Sequence, residues 1–157
     1  AILNSPIFGG IKNFSSVDKV KEIAKQIGWN GRSKTEKDRK FLSDLKLLCT
    51  DYNDMPFNSM QNKVKEFLDE DAFMLFLHIR EPEEIAKAAN EFKEYNVKSI
   101  LVKRDSVKHI VSNMADENVY NYKYDIIINN EGTLEELKEK ADCFISDCLT
   151  GNFKILY

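Results

Sequence analysis

The run Ala72-Phe73-Met74-Leu75-Phe76-Leu77-His78-Ile79 constrains this chain more than any other stretch, because it is almost wholly apolar and is followed, after Arg80, by Glu81-Pro82-Glu83-Glu84. It is too short for a long helix, and its continuous apolarity predicts a strand covered on both faces. Proline suits the first turn of a helix and acids suit the positive end of its dipole, so a helix is predicted directly afterwards. The same unit recurs. A strand is predicted over 97–102 with a helix from about Ser106, and another strand over 124–128. After the latter, Thr133-Leu134-Glu135-Glu136 reads as a capping box that opens a helix running to about Leu149. Ala1-Ile2-Leu3-Asn4 reads as an opening buried strand, and Ser5-Pro6-Ile7-Phe8-Gly9-Gly10 as the loop after it. Repeated strand-then-helix units predict an α/β fold, a three-layer sandwich with a mainly parallel sheet between helices.

The segment between the first loop and the apolar run reads as helical. Ser15-Ser16-Val17-Asp18 offers an N-cap with an acid in the first turn, and Val17, Val20, Ile23, Ala24 and Ile27 recur at helical spacing as far as Gly28. Thr35 caps a second helix with Phe41, Leu45, Leu48 and Cys49 on one face, and Pro56 opens a third through Met60, Val64 and Leu68. No linker or repeat divides the 157 residues, which predicts a single domain over 1–157. With 43% hydrophobic residues, 10 Phe and 6 Tyr against 6 Gly and 3 Pro, a disordered or collagen-like chain is excluded. The 23 basic and 26 acidic side chains, a formal charge of -3, argue against a nucleic-acid partner, which favours a basic stripe. The apolar runs fall well short of the roughly 20 residues that span a bilayer, and no basic-then-apolar leader opens the sequence, so no membrane partner and a cytoplasmic location are expected. Cys49, Cys143 and Cys148 lack zinc-site spacing, and reduced, mostly buried thiols are expected.

In parallel α/β sheets, ligands sit beyond the C-terminal ends of the strands, so residues 4–12, 78–81, 103–105 and 129–131 are the candidates. Arg80 follows directly on an apolar strand, where a guanidinium is aimed from a rigid element at a carboxylate or phosphate; a salt bridge to Glu83 or Glu84 is the plainer reading. Lys103 and Arg104, with Lys108 and His109, gather cations suited to phosphate, or are ordinary solvated charges. His78 lies inside a strand pattern with no second histidine near it, which predicts a packed side chain rather than a metal ligand or base. Ser5, Gly9, Gly10, Lys12 and Asn13 hold parts of a phosphate-binding loop, which requires glycines for backbone N–H wrapping, a lysine and a hydroxyl ahead of a helix. Ser5 stands for the first glycine, Ile11 separates Gly10 from Lys12, and Asn13 takes the hydroxyl position.

Several longer motifs occur together. Phe14-Ser15-Ser16-Val17-Asp18-Lys19-Val20-Lys21, Gly28-Trp29-Asn30-Gly31 and Arg39-Lys40-Phe41-Leu42-Ser43-Asp44-Leu45-Lys46 are followed by His78-Ile79-Arg80-Glu81-Pro82-Glu83-Glu84-Ile85. Lys103-Arg104, Ala115-Asp116-Glu117 and Tyr124-Asp125-Ile126-Ile127-Ile128-Asn129-Asn130-Glu131-Gly132-Thr133-Leu134 complete the series. In this order they resemble the small bacterial and phage P-loop kinases of the deoxynucleoside monophosphate kinase type and, more distantly, the phosphomevalonate kinases, over about 14–147. The resemblance implies a P-loop NTPase (nucleotide kinase)-like fold that moves a phosphoryl group from ATP, with Mg²⁺, to a nucleoside monophosphate. It implies that Arg80 holds the acceptor phosphate, that Lys103 and Arg104 belong to a lid neutralising the transferring group, and that Asp116 orders that lid. Lys12, Arg80 and Arg104 would be the catalytic cations, in a reaction governed by positioning and charge. The helical segment over about 33–70 would bind the acceptor, with the helices around Phe41 and Phe57 forming the wall on which its base rests. The family pattern places a strand, a complete Gly-Lys loop and a helix ahead of the segment matching Phe14, whereas 13 residues precede it here, so the Walker A region is expected to be incomplete, degenerate or short of an N-terminal piece. A catalytically degenerate nucleotide sensor or protein-interaction module on the same scaffold is the alternative to a kinase.

Overall fold

Two parallel strand pairs organise the chain in a computed structural model that describes residues 10–70, 72–106 and 118–150. Strand β1 (Ile11–Ser15) leads through helices α1 (Asp18–Gln26), α2 (Glu36–Asn53) and α3 (Met55–Asp69) to β2 (Met74–His78) and α4 (Pro82–Glu91). Then come β3 (Ile100–Lys103), a short 3-10 turn (Val119–Asn121), β4 (Ile126–Asn129) and helix α5 (Leu134–Thr150). β1 pairs with β2 and β3 with β4, both in parallel. Parallel neighbours need a crossover of a dozen or more residues, and the three helices between β1 and β2 supply one. The α/β character and the parallel pairing agree with the sequence reading. The single continuous sheet does not: among the described residues there are two separate two-stranded sheets. An apolar run specifies that a strand is covered, whereas the strand beside it is set by distant residues.

Alternation along β1 decides which way its side chains face. Phe14 is buried while Lys12 and Asn13 are exposed. Phe14, opposite Leu77, lies on the face turned to the core, where Phe57, Met60 and Val64 of α3 meet Ala88 of α4 and Phe92, with Leu75, Leu77 and Ile79 packed against them. The other face carries Asn13 beside Phe76 and Ser15 beside His78. Strand β1 therefore begins at Ile11, so Lys12 and Asn13 lie in a ladder rather than in the loop expected for them. The predicted strand at 1–4 and residues 5–9 lie outside the described residues, as do residues 107–117 of the helix expected from about Ser106.

Local signals set the helix ends. Thr35 Oγ1 accepts from the Asp38 N–H while the Asp38 carboxylate accepts from the Thr35 N–H, a reciprocal capping box at the start of α2. Thr133 and Glu136 form the same arrangement at α5. Helix α1 ends in a Schellman motif: Trp29 N–H donates to Ala24 O, Gly28 N–H to Lys25 O, and Gly28 takes a φ of 107°. No serine caps α1; Val17 occupies that position, Ser15 is in the ladder, and the Asp18 carboxylate accepts the Ser15 N–H at 2.8 Å. Leu48 and Leu68, expected on buried faces, are exposed, and the buried residue of α2 is Lys46. The three thiols are free; Cys143 is exposed and Cys49 and Cys148 are half-buried, so the expected burial holds for none of them fully. Among the described residues, no helix is long and apolar enough to cross a membrane.

Candidate functional site

The C-terminal ends of β1 and β2 lie side by side. Ser15 is in register with His78, and the Ser16 N–H donates to His78 O at 3.2 Å, which carries the pairing one residue past the strands. Ser16 is buried beneath this junction. His78 is exposed rather than packed, because alternation after Leu77 turns it away from the core; its Nε2 lies 3.1 Å from Asn13 Oδ1. Arg80, two residues further on, is exposed at the mouth of the β2–α4 turn.

A charged cluster that begins at the residue after Arg80 ties this turn to α2. Lys46 Nζ lies 2.5 Å from Glu81 Oε1 and 3.0 Å from Glu84 Oε2, with its side chain 11% exposed. Burial works to raise the Glu81 carboxyl, but the hydrogen bond and charge of Lys46 outweigh it and hold Glu81 below the ordinary glutamate value. Glu84 moves the other way: burial, together with the charge of Glu81, outweighs the same ammonium and raises it. One carboxylate thus stays ionised against the lysine while its neighbour takes up a proton more readily. This cluster is hard to foresee from sequence. Glu81 and Glu84 read as acids placed for the helix dipole, and Lys46 as one of many lysines; its place beside Leu45 and three residues before Cys49, on an apolar helix flank, was the available signal.

The ends of β3 and β4 form a second strand-end group. Asn130 N–H donates to Lys103 O at 2.7 Å, and the Glu131 carboxylate accepts from the backbone N–H groups of Asp105 and, at 3.1 Å, Ser106. Hydrogen bonds from Ser106 and then Asp105 hold Glu131 below the ordinary glutamate value. Lys103 Nζ lies 2.7 Å from Asp105 Oδ2, and that hydrogen bond, with the charge of Asp105, raises the lysine. Arg104 beside it is exposed.

The predicted site residues are therefore divided. Arg80 lies beyond β2, whereas Lys103 is the last residue of β3 and Arg104 follows it, so the two groups stand at the ends of different sheets. Asp116, Lys108, His109, Ser5 and Gly9 lie outside the described residues. Of the two helices expected to wall the acceptor base, the one around Phe57 turns that ring into the core, where it is 4% exposed, whereas Phe41 is half-buried on α2. Gly10 has a φ of 86° with open space around it, as a phosphate loop would allow. Lys12 and Asn13 do not suit an ATP cradle: successive strand residues point to opposite faces, and Lys12 Nζ is 2.6 Å from Glu70 Oε2. Among the described residues no group of three or more His, Cys, Asp or Glu side chains is gathered as metal ligands. Comparison with protein families, with curated proteins and with solved structures finds no match to this chain.

Proposed function

We propose that this chain is a nucleoside or deoxynucleoside monophosphate kinase-like protein, and that its described residues supply the acceptor side, with Arg80 holding the monophosphate. The observation that carries this reading is the junction at the ends of β1 and β2, where an exposed guanidinium stands on a turn held by a strand ladder and by Lys46. A rigidly mounted arginine suits bidentate phosphate recognition better than one on a loose loop. The motif order from Phe14 to Leu134 supplies the reaction class. Lys103 and Arg104 are the second cationic group of this reading.

The geometry of Lys12 and Asn13 favours a second reading, a catalytically degenerate nucleotide sensor on the same scaffold. Calorimetry with AMP, dAMP, dCMP, dGMP and dTMP, alongside a coupled ADP-release assay with ATP and Mg²⁺, tests both. Binding of a monophosphate is expected, weakened about ten- to hundred-fold in Arg80→Ala, since a hydrogen bond to a charged group contributes about 1.5–3 kcal/mol. ADP formation selects the kinase, and monophosphate binding without turnover selects the sensor. Failure of every monophosphate to bind overturns the proposal.

A further inference from the structure

The Lys46 cluster is costly for what it does to stability alone. Burying an ammonium between two carboxylates strips water from three charges, and apolar groups of similar volume in place of such triads are often as stabilising or more so. Its placement gives it another use. Glu81 is the residue after Arg80, and Glu84 lies in the first turn of α4, so both acceptors flank the backbone on which Arg80 stands. The donor comes from the middle of α2, a helix whose start is fixed by the Thr35–Asp38 box. Lys46 thus ties the β2–α4 turn to α2, in addition to the strand ladder that holds its other end. A hydrophobic contact in its place would leave the turn free to slide, whereas two ion pairs of defined direction do not.

We propose that Lys46 is a positioning residue: by holding Glu81 and Glu84 together it fixes the turn that carries Arg80, so that the guanidinium meets a phosphate at a set place. The ligand consequence rests on the proposed role of Arg80; the positional consequence does not. A misplacement of about 1 Å in such a group costs on the order of a hundredfold in function.

The test compares Lys46→Met with the triple variant Lys46→Met, Glu81→Gln, Glu84→Gln, in which no unpaired buried charge is left. Amide hydrogen exchange over 79–85 is read against α5, together with calorimetry using AMP and dTMP and the urea midpoint. Lys46→Met is expected to speed exchange over 79–85 at least tenfold while α5 is unchanged, and to weaken monophosphate binding at least tenfold. The triple variant should regain the urea midpoint yet keep both defects. Unchanged exchange over 79–85 in Lys46→Met, or a triple variant with parental exchange, overturns the inference. If the parent binds neither monophosphate, the proposal for Arg80 loses its support at those ligands while the exchange measurement still decides the role of Lys46.

Discussion

Replacing Phe57 tests whether the core that carries the strand ends is packed as described. Phe57 is 4% exposed, its ring stacks on Phe92 at a centroid separation of 6.4 Å, and the Lys87 ammonium lies 4.0 Å over its centroid. Phe57→Ala should cost about 3–5 kcal/mol, the range for emptying a buried aromatic site. That is a large share of the roughly 5–15 kcal/mol that keeps a domain folded. Phe57→Leu keeps most of the apolar volume and should cost less than about 1.5 kcal/mol. Lys87→Met removes two things at once, the ring contact and the ion pair with Asp54. The half-exposed ion pair contributes up to about 1 kcal/mol, and the ring contact about 0.5–1 kcal/mol. In the Phe57→Leu background only the ion pair remains to be lost, so the double-mutant cycle should return a coupling of about 0.5 kcal/mol or more. Urea unfolding followed by circular dichroism supplies the four free energies. A loss below about 1 kcal/mol in Phe57→Ala refutes the burial, because a ring on an exposed acceptor wall would show that behaviour. A coupling of zero refutes the cation–π contact.

Two further outcomes follow from local hydrogen bonds. Thr35→Ala should lower stability by about 1 kcal/mol through loss of the α2 cap, and Thr35→Ser should retain most of it, both read from urea midpoints. Glu131 is held below its ordinary value of 4.5, so the tie it makes to Asp105 and Ser106 is present above that pH and is lost as the pH falls through the depressed folded value. Amide exchange at Asp105 and Ser106 should therefore rise on acidification, after correction for intrinsic rates, and should already be raised at neutral pH in Glu131→Ala. No difference between the parent and Glu131→Ala at pH 7 counts against the tie.

The features legible in the sequence are those whose partners lie within a turn of the chain. Thr35 finds Asp38 three residues on, Thr133 finds Glu136 at the same spacing, and Gly28 closes α1 with Lys25. Pro56 at the start of α3 and Pro82 at the start of α4 need no distant partner, because a fixed φ and a missing N–H act where they stand. The strands at 74–78, 100–103 and 126–129 were visible for a similar reason, as apolar runs bounded by polar turns.

Contacts that decide the candidate site lie further away. Lys46 meets Glu84 across 38 positions, and His78 meets Asn13 across 65. Which residue of β1 lies beside His78 depends on register, since a slip of one residue would exchange the two faces of β1 and bring Lys12 rather than Asn13 beside it. The same slip would turn Phe14 away from Phe57 and Met60, so the core enforces the register that sets Asn13 beside His78. Burial of Phe14 and the outward position of Asn13 and His78 are then one fact seen from opposite faces of the sheet. A substitution that weakens Phe14 in the core should loosen the His78–Asn13 contact as well, although neither polar residue touches that core.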